Sequence, residues 1–228
     1  MGGSGRPPSP PDVRRAPGDP ARALSLPNPL GPRILVLATG NAGKVRELRP
    51  LLAGIPFEIR TLADYPPFDM PEETGTTYEA NALIKARAVA AHTRCLALGD
   101  DSGIEVDALG GAPGVRSARF GGPGLDDRGR VRHLLRQIEH VADAERGARF
   151  VCVIALVSPD GRETLVVGEC AGRLTREPRG TEGFGYDPIF YYPPFGVTFG
   201  EILDERKATV GHRGRAAAAA RAALIAMV

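Results

Sequence analysis

An α/β fold is what this sequence of 228 residues predicts, and three observations carry the prediction. A continuous apolar run, Arg33-Ile34-Leu35-Val36-Leu37-Ala38, passes through a glycine turn into a stretch with Val45, Leu48, Leu51 and Leu52 on one side, which is the order strand, turn, helix. A second helical stretch, from Thr76 to about Thr93, leads into another apolar run. Further on, strand-like runs from Phe150 to Val157 and from Thr164 to Leu174 flank Ser158-Pro159-Asp160-Gly161, a strong hairpin signal.

Residues 1–32 stand apart from this pattern. Gly, Pro, Ser and Arg dominate them, and isolated Leu24, Leu26 and Leu30 give no period, so a disordered tail is expected ahead of one domain over residues 33–228. Arg6, Arg14, Arg15 and Arg22 against Asp12 and Asp19 account for the whole formal net charge of +2, which leaves the remainder neutral. A neutral domain lacks the broad basic surface that nucleic-acid binding requires, so no nucleic-acid partner is expected. No apolar stretch reaches the length of a membrane span, so no membrane partner is expected either. Cys95, Cys152 and Cys170 fall in strand-like runs without CxxC spacing. They read as small buried apolar residues in a reducing compartment, which points to the cytoplasm and away from a disulfide frame or a zinc site.

The first turn, Thr39-Gly40-Asn41-Ala42-Gly43-Lys44, aims backbone N–H groups and the positive end of a helix dipole at whatever sits above it, and Lys44 adds a charge. That is an anion site, most often for phosphate, although Gly and Asn also make plain turns. The glycine spacing and Val45 after the lysine exclude a Walker P-loop, and the dinucleotide fingerprint does not fit. Pro50 should kink or shorten the first helix, and a short strand is expected around Phe57 to Thr61. Thr76 with Glu79 has capping-box spacing for the second helix, whose packing side carries Ala80, Leu83, Ile84, Val89 and Ala90. Asn81 and Lys85 share one face, where a lone lysine is expected to be solvated. Just ahead of that helix, Glu72 and Glu73 can serve a divalent cation, a charged loop or the helix N-terminus.

Asp100 and Asp101, bounded by Gly99 and Gly103, read as an acidic pair at a strand end: an exposed metal or base position, or a solvated turn. Beyond the glycine-rich segment 110–120, a surface helix is expected from Leu125 to about Ala142, with Val131, Leu134, Leu135 and Ile138 inward. After the hairpin, Gly180 to Pro188 sets Phe184, Tyr186 and Asp187 among glycines, a loop suited to stacking on a flat ring and hydrogen-bonding its edge, or a glycine turn with one packed aromatic. Lys207 and His212-Arg213 follow, and the last helix is expected from about Arg215.

These segments together resemble the inosine/xanthosine triphosphate pyrophosphatase family, from Arg33 to the C-terminus. The likeness rests on residues 39–44, Glu72-Glu73-Thr74-Gly75, Glu79 with Asn81 and Lys85, Asp100-Asp101-Ser102-Gly103, Leu109 to Gly114, Gly183 to Pro188, Lys207 and His212-Arg213. The resemblance implies an elongated, two-lobed mixed β-sheet with flanking helices and a central nucleotide-binding cleft, in a homodimer. It implies Mg²⁺-dependent hydrolysis of deaminated purine triphosphates (ITP, dITP, XTP) to nucleoside monophosphate and pyrophosphate. Thr39, Gly40, Asn41, Ala42, Gly43 and Lys44 match the family's phosphate loop, and Asp101 its general base and metal ligand. Glu72 best matches the other metal ligand, with adjacent Glu73 the alternative. Ser102, Phe184, Gly185, Tyr186, Asp187 and Lys207 match nucleotide contacts, and His212 with Arg213 the pair that reads the purine 6-oxo edge. One departure stands out: members usually carry Ser before that pair, and this chain has Gly211.

Overall fold

The computed structural model describes residues 1–2 and 33–228, so the tail expectation lies outside the described residues. Seven strands form one mixed sheet in the order β2-β1-β3-β4-β5-β6-β7. They are β1 (Ile34–Leu37), β2 (Glu58–Thr61), β3 (Leu96–Val106), β4 (Gly147–Val157), β5 (Glu163–Leu174), β6 (Phe190–Tyr192) and β7 (Val197–Thr198). β1 runs parallel to β2 and β3, and every later pairing is antiparallel. The helices are α1 (Ala42–Leu51), α2 (Tyr78–Thr93), α3 (Asp127–Gln137), α4 (Asp204–Ala208) and α5 (His212–Ala226).

Strand alternation sorts the core. Leu35, Leu37, Leu96 and Leu98 point to one face and pack under α1 and α5, through Leu48, Leu52, Ala216, Ala217, Ala220 and Leu224. Val36, Ala38, Ala97, Val151, Val153 and Ala155 point to the other face, under Ala82, Ala86, Val89 and Ala90 of α2. The small side chains of α2 let it lie close on β3: a Cβ on Gly99 would meet the Ala86 amide nitrogen at 2.9 Å. A third core, from Ile104, Val106, Phe150, Cys170, Leu174, Phe190 and Phe199 with Val131 and Leu134 of α3, fills the far end of the sheet. Three long central strands thus run through two lobes, and the shorter β1 and β6 each belong to one.

Several sequence expectations are corrected. The acidic pair is not at a strand end: β3 runs unbroken for 11 residues with Asp100 and Asp101 in its middle, both buried. Thr77, not Thr76, caps α2, its Oγ1 accepting from the Ala80 N–H at 3.2 Å. Lys85 is buried, not solvated. α3 is shorter than expected, and α5 begins at His212, so the His-Arg pair lies in its first turn. Pro50 agrees with expectation: it has no N–H to give the Arg46 carbonyl four residues back, and α1 ends one residue after it, at Leu51.

Candidate active site

β1 ends at Leu37, and its last ladder contact to β3 is the Ala38 N–H to the Leu98 carbonyl at 2.7 Å. β3 continues past that point without a β1 partner, so its edge is uncovered from Gly99 until Ile104, where Ser117 Oγ, the Ala112 carbonyl and a bridge between Glu105 and Pro113 close it. A cleft of about 700 Å³ occupies this space, between the turn after β1 on one side and the second lobe on the other. That volume is within the range of small-molecule sites.

Within the turn, Asn41 is the N-cap of α1: its Oδ1 accepts from the Gly43 N–H at 2.9 Å and the Lys44 N–H at 3.2 Å. The Asn41 N–H in turn donates to Thr39 Oγ1 at 3.2 Å. Those amides shape the loop and are not left for a ligand, which narrows the sequence expectation of free N–H groups. Thr39, Gly40, Asn41 and Lys44 line the cleft, whereas Ala42 and Gly43 do not.

Because successive side chains leave a strand on opposite faces, the adjacent aspartates have different neighbours. Asp100 points under α1 and α5, with Lys44 Nζ at 2.9 Å and Arg213 Nε at 3.6 Å. Burial alone would push its carboxyl up, but Lys44, Arg213 and Lys85 outweigh that and bring it down to about 2. It is a fixed anion that holds two cations. Asp101 points toward α2 and the cleft, where its Oδ2 accepts from Asn81 Nδ2 at 3.1 Å and Lys85 Nζ stands 3.7 Å from Oδ1. Burial raises the Asp101 carboxyl; Lys85, Lys44 and the Asn81 amide pull it back while Glu73 adds to the rise, and the net direction is upward. A carboxylate displaced upward beside a cleft is a better proton acceptor than an ordinary aspartate.

The second carboxylate in this wall is Glu73. Its Oε1 accepts from Lys85 Nζ at 2.6 Å, so one ammonium links Glu73 and Asp101. Glu72 is exposed and does not line the cleft. The sequence match preferred Glu72; the loop places Glu73 inward. Among the described residues no group of three or more His, Cys, Asp or Glu side chains could hold a metal by itself. Two carboxylates with all-oxygen donors nevertheless fit a hard cation such as Mg²⁺, which takes one or two protein carboxylates and fills its shell with water and substrate phosphate.

Opposite this wall, the loop after β5 and the start of α5 meet. Asp187, buried, accepts from the Phe184 N–H at 2.9 Å and from Lys207 Nζ at 2.6 Å. Lys207 also donates to Glu47 Oε1 at 2.8 Å, and Arg213 pairs with the other Glu47 oxygen while donating to Ser102 Oγ at 2.9 Å. Burial works against the Lys207 charge, yet Asp187 and Glu47 hold the ammonium above the usual lysine range. Lys207 Nζ and Arg213 Cζ lie 5.1 Å and 5.5 Å from the centre of the Phe184 ring. His212 stacks on Phe150 with centroids 4.6 Å apart, and its Nδ1 is buried without a partner among the described residues. Burial, then the nearby Arg213, Lys207 and Lys44 charges, keep its imidazole well below the usual histidine range, so it is neutral at pH 7. Tyr186 is tucked into the second lobe, where its hydroxyl donates to the Ser117 carbonyl at 2.9 Å. Gly211, the unusual position, is the N-cap of α5 and supplies no side-chain bond there.

Ser102, Asp101 and all of Phe184 to Asp187, Lys207, His212 and Arg213 therefore face one cleft. Sequence reading missed Glu47. Its one local signal is a charge next to Leu48 on a helix face three residues after Lys44, and only the fold shows that Lys207 and Arg213 converge on it.

A profile of the Ham1 family matches residues 35–223. The chain belongs to the Ham1 family. The dITP/XTP pyrophosphatase of Symbiobacterium thermophilum is 56% identical over 186 residues, 81% of this chain and 91% of that protein. The enzyme of the same description from Thermus thermophilus is 51% identical over 182 residues, covering 80% and 87%. Among solved structures, the HAM1 protein of Coxiella burnetii superposes with a TM-score of 0.78 at 39% identity, over 84% of this chain and 98% of that one. The seven-stranded mixed sheet with helices on both faces is thus the Ham1 fold.

Proposed function

We propose that this Ham1 chain hydrolyses the bond between the α- and β-phosphates of deaminated purine nucleoside triphosphates, ITP, dITP and XTP, releasing the monophosphate and pyrophosphate. The observation that carries the reading is the pairing of Glu73 and Asp101 through Lys85 on the cleft wall beside the Thr39 to Lys44 loop. Relatives described as dITP/XTP pyrophosphatases, at 51–56% identity, support the substrate class.

In this reading Asp101 takes the proton of the attacking water, oriented by the Asn81 amide and kept close to Glu73 by the shared Lys85 ammonium. Glu73 and Asp101 would hold Mg²⁺, which supplies charge neutralisation at the phosphates when bound. Lys44 lies at the phosphate loop. Phe184 offers a ring face to the purine, and the buried Nδ1 of neutral His212 with the Arg213 guanidinium offers polar contacts to the base edge. A 6-oxo group accepts from Arg213 where adenine would present a competing donor, and such a mismatch at a buried site costs about 1–3 kcal/mol. The cytoplasm as location, removal of these nucleotides from the pool as role, and a homodimer as working form belong to the same reading; among the described residues no helix is long and apolar enough to cross a membrane.

A panel of ITP, dITP, XTP, ATP, GTP and modified pyrimidine triphosphates, with and without Mg²⁺, tests it. Pyrophosphate release is expected from the first three and to require the metal. Equal rates with ATP, or binding without release over hours, would make the chain another kind of nucleotide enzyme or a sensor.

A further inference from the structure

The charges on the cleft walls do not all have partners. Lys44 faces Asp100 at 2.9 Å, Lys85 faces Glu73 at 2.6 Å, and Lys207 faces Asp187 at 2.6 Å. Arg213 is tied to Glu47 and Ser102. Each of these cations is matched to a carboxylate before any substrate enters. Two arginines that line the same cleft are compensated more weakly. Arg119, at the end of the 3₁₀ segment Gly114–Arg119, donates from Nη2 to the Glu73 carbonyl at 3.1 Å, which places its guanidinium beside the proposed metal ligand without neutralising it. Arg130, on α3, stands 3.7 Å from Asp127 Oδ1, outside hydrogen-bond reach, while the other Asp127 oxygen accepts from the Gly185 N–H at 2.9 Å. The Arg130 side chain is 19% exposed, and its Nε is buried with no partner among the described residues.

Arg119 is exposed with no carboxylate partner among the described residues, and the more buried Arg130 has only its loose pairing to exposed Asp127, so a ligand's negative charge can satisfy both better than the protein does. The planar fork of a guanidinium fits two phosphate oxygens at once, which a lysine cannot do. Both arginines come from the second lobe, across the cleft from the turn after β1 that carries Lys44. On the functional reading above, the substrate brings more negative charge than the matched lysines can absorb, and the most weakly compensated positive charge is on this side. We propose that Arg119 and Arg130 bind the β- and γ-phosphates of the triphosphate and hold pyrophosphate after cleavage.

Calorimetric titration with inorganic pyrophosphate, and separately with IMP, in the absence of added metal, compares the unaltered chain with Arg119→Gln and Arg130→Gln. Each substitution is expected to weaken pyrophosphate roughly ten-fold or more, the worth of a charge-assisted bond, and to move IMP by less than about two-fold. Arg→Lys at either position should recover only part of the loss, because the ammonium restores charge and not the fork. Pyrophosphate affinity that does not change in a variant overturns the role of that arginine. IMP weakened as much as pyrophosphate overturns the phosphate assignment in favour of a nucleoside contact. If the unaltered chain does not hydrolyse ITP the functional reading fails separately, since the pyrophosphate comparison involves no turnover.

Discussion

At the residue scale, the two acidic pairs divide their work by geometry. Asp100 and Asp101 are neighbours in sequence, yet one is buried against Lys44 and Arg213 while the other faces Asn81, Lys85 and the cleft. Glu72 and Glu73 divide similarly: one exposed, the other 2.6 Å from Lys85. Glu73→Gln should therefore raise the Mg²⁺ concentration needed for half-maximal activity by ten-fold or more, as loss of one charged ligand bond of about 1.5–3 kcal/mol requires. Glu72→Gln should leave that concentration unchanged. A metal titration of the two variants in parallel decides between them; the opposite order would return the ligand role to Glu72. Residue type and spacing narrowed the choice to this pair and went no further, because which of two adjacent loop carboxylates turns inward depends on Lys85, twelve residues on and one helix turn past Asn81.

At the element scale, the site exists because helices approach strands closely at chosen points. α5 carries His212 and Arg213 to the cleft by lying on β5 at Gly168, where an added Cβ would run into the His212 carbonyl and the Ala216 amide. Gly168→Ala should push the first turn of α5 away from the sheet. An overpacking cost of about 1–3 kcal/mol is expected in denaturant unfolding, together with a raised KM, since His212 and Arg213 move with the helix. Unchanged stability and KM would show that the contact relaxes without moving the site. The strands and helices with clear periods, β1, β2, α2 and the β4–β5 hairpin, were legible in the sequence within a few residues. β3 was not, because two aspartates in mid-strand look like a break unless Lys44, Arg213 and Lys85 are known to surround them. The start of α5 was missed for a related reason: Gly211 gives no side-chain cap, so nothing local marks the helix before Arg215. β6 and β7, of three and two residues, are too short to show a period and are held by pairing with β5 and with each other.

At the scale of the whole domain, the cleft is a joint between two cores. One wall, with the turn after β1 and Lys44, rests on the core under α1 and α5, and the opposite wall, with Phe184 to Asp187, Arg119 and Arg130, rests on the core of the second lobe. The strands that connect them, β3, β4 and β5, are continuous, so the lobes share a frame, and the cleft loops are fastened to it by hydrogen bonds such as Gly185 N–H to Asp127, Tyr186 hydroxyl to the Ser117 carbonyl and Arg119 to the Glu73 carbonyl. A ligand that touches both walls should then stabilise both at once. With Mg²⁺ and the non-hydrolysable α,β-methylene analogue of ITP at 100 times its Kd, linkage gives about 2.7 kcal/mol of added stability. Hydrogen exchange should slow together in residues 39–44 and in residues 183–187, because the occupant contacts loops from both lobes. IMP alone should protect the base-side loop more than the phosphate loop. Protection confined to one lobe in the presence of the full analogue would mean that the substrate occupies one wall only, and that the convergence of these residues on a common cleft does not describe how the nucleotide binds.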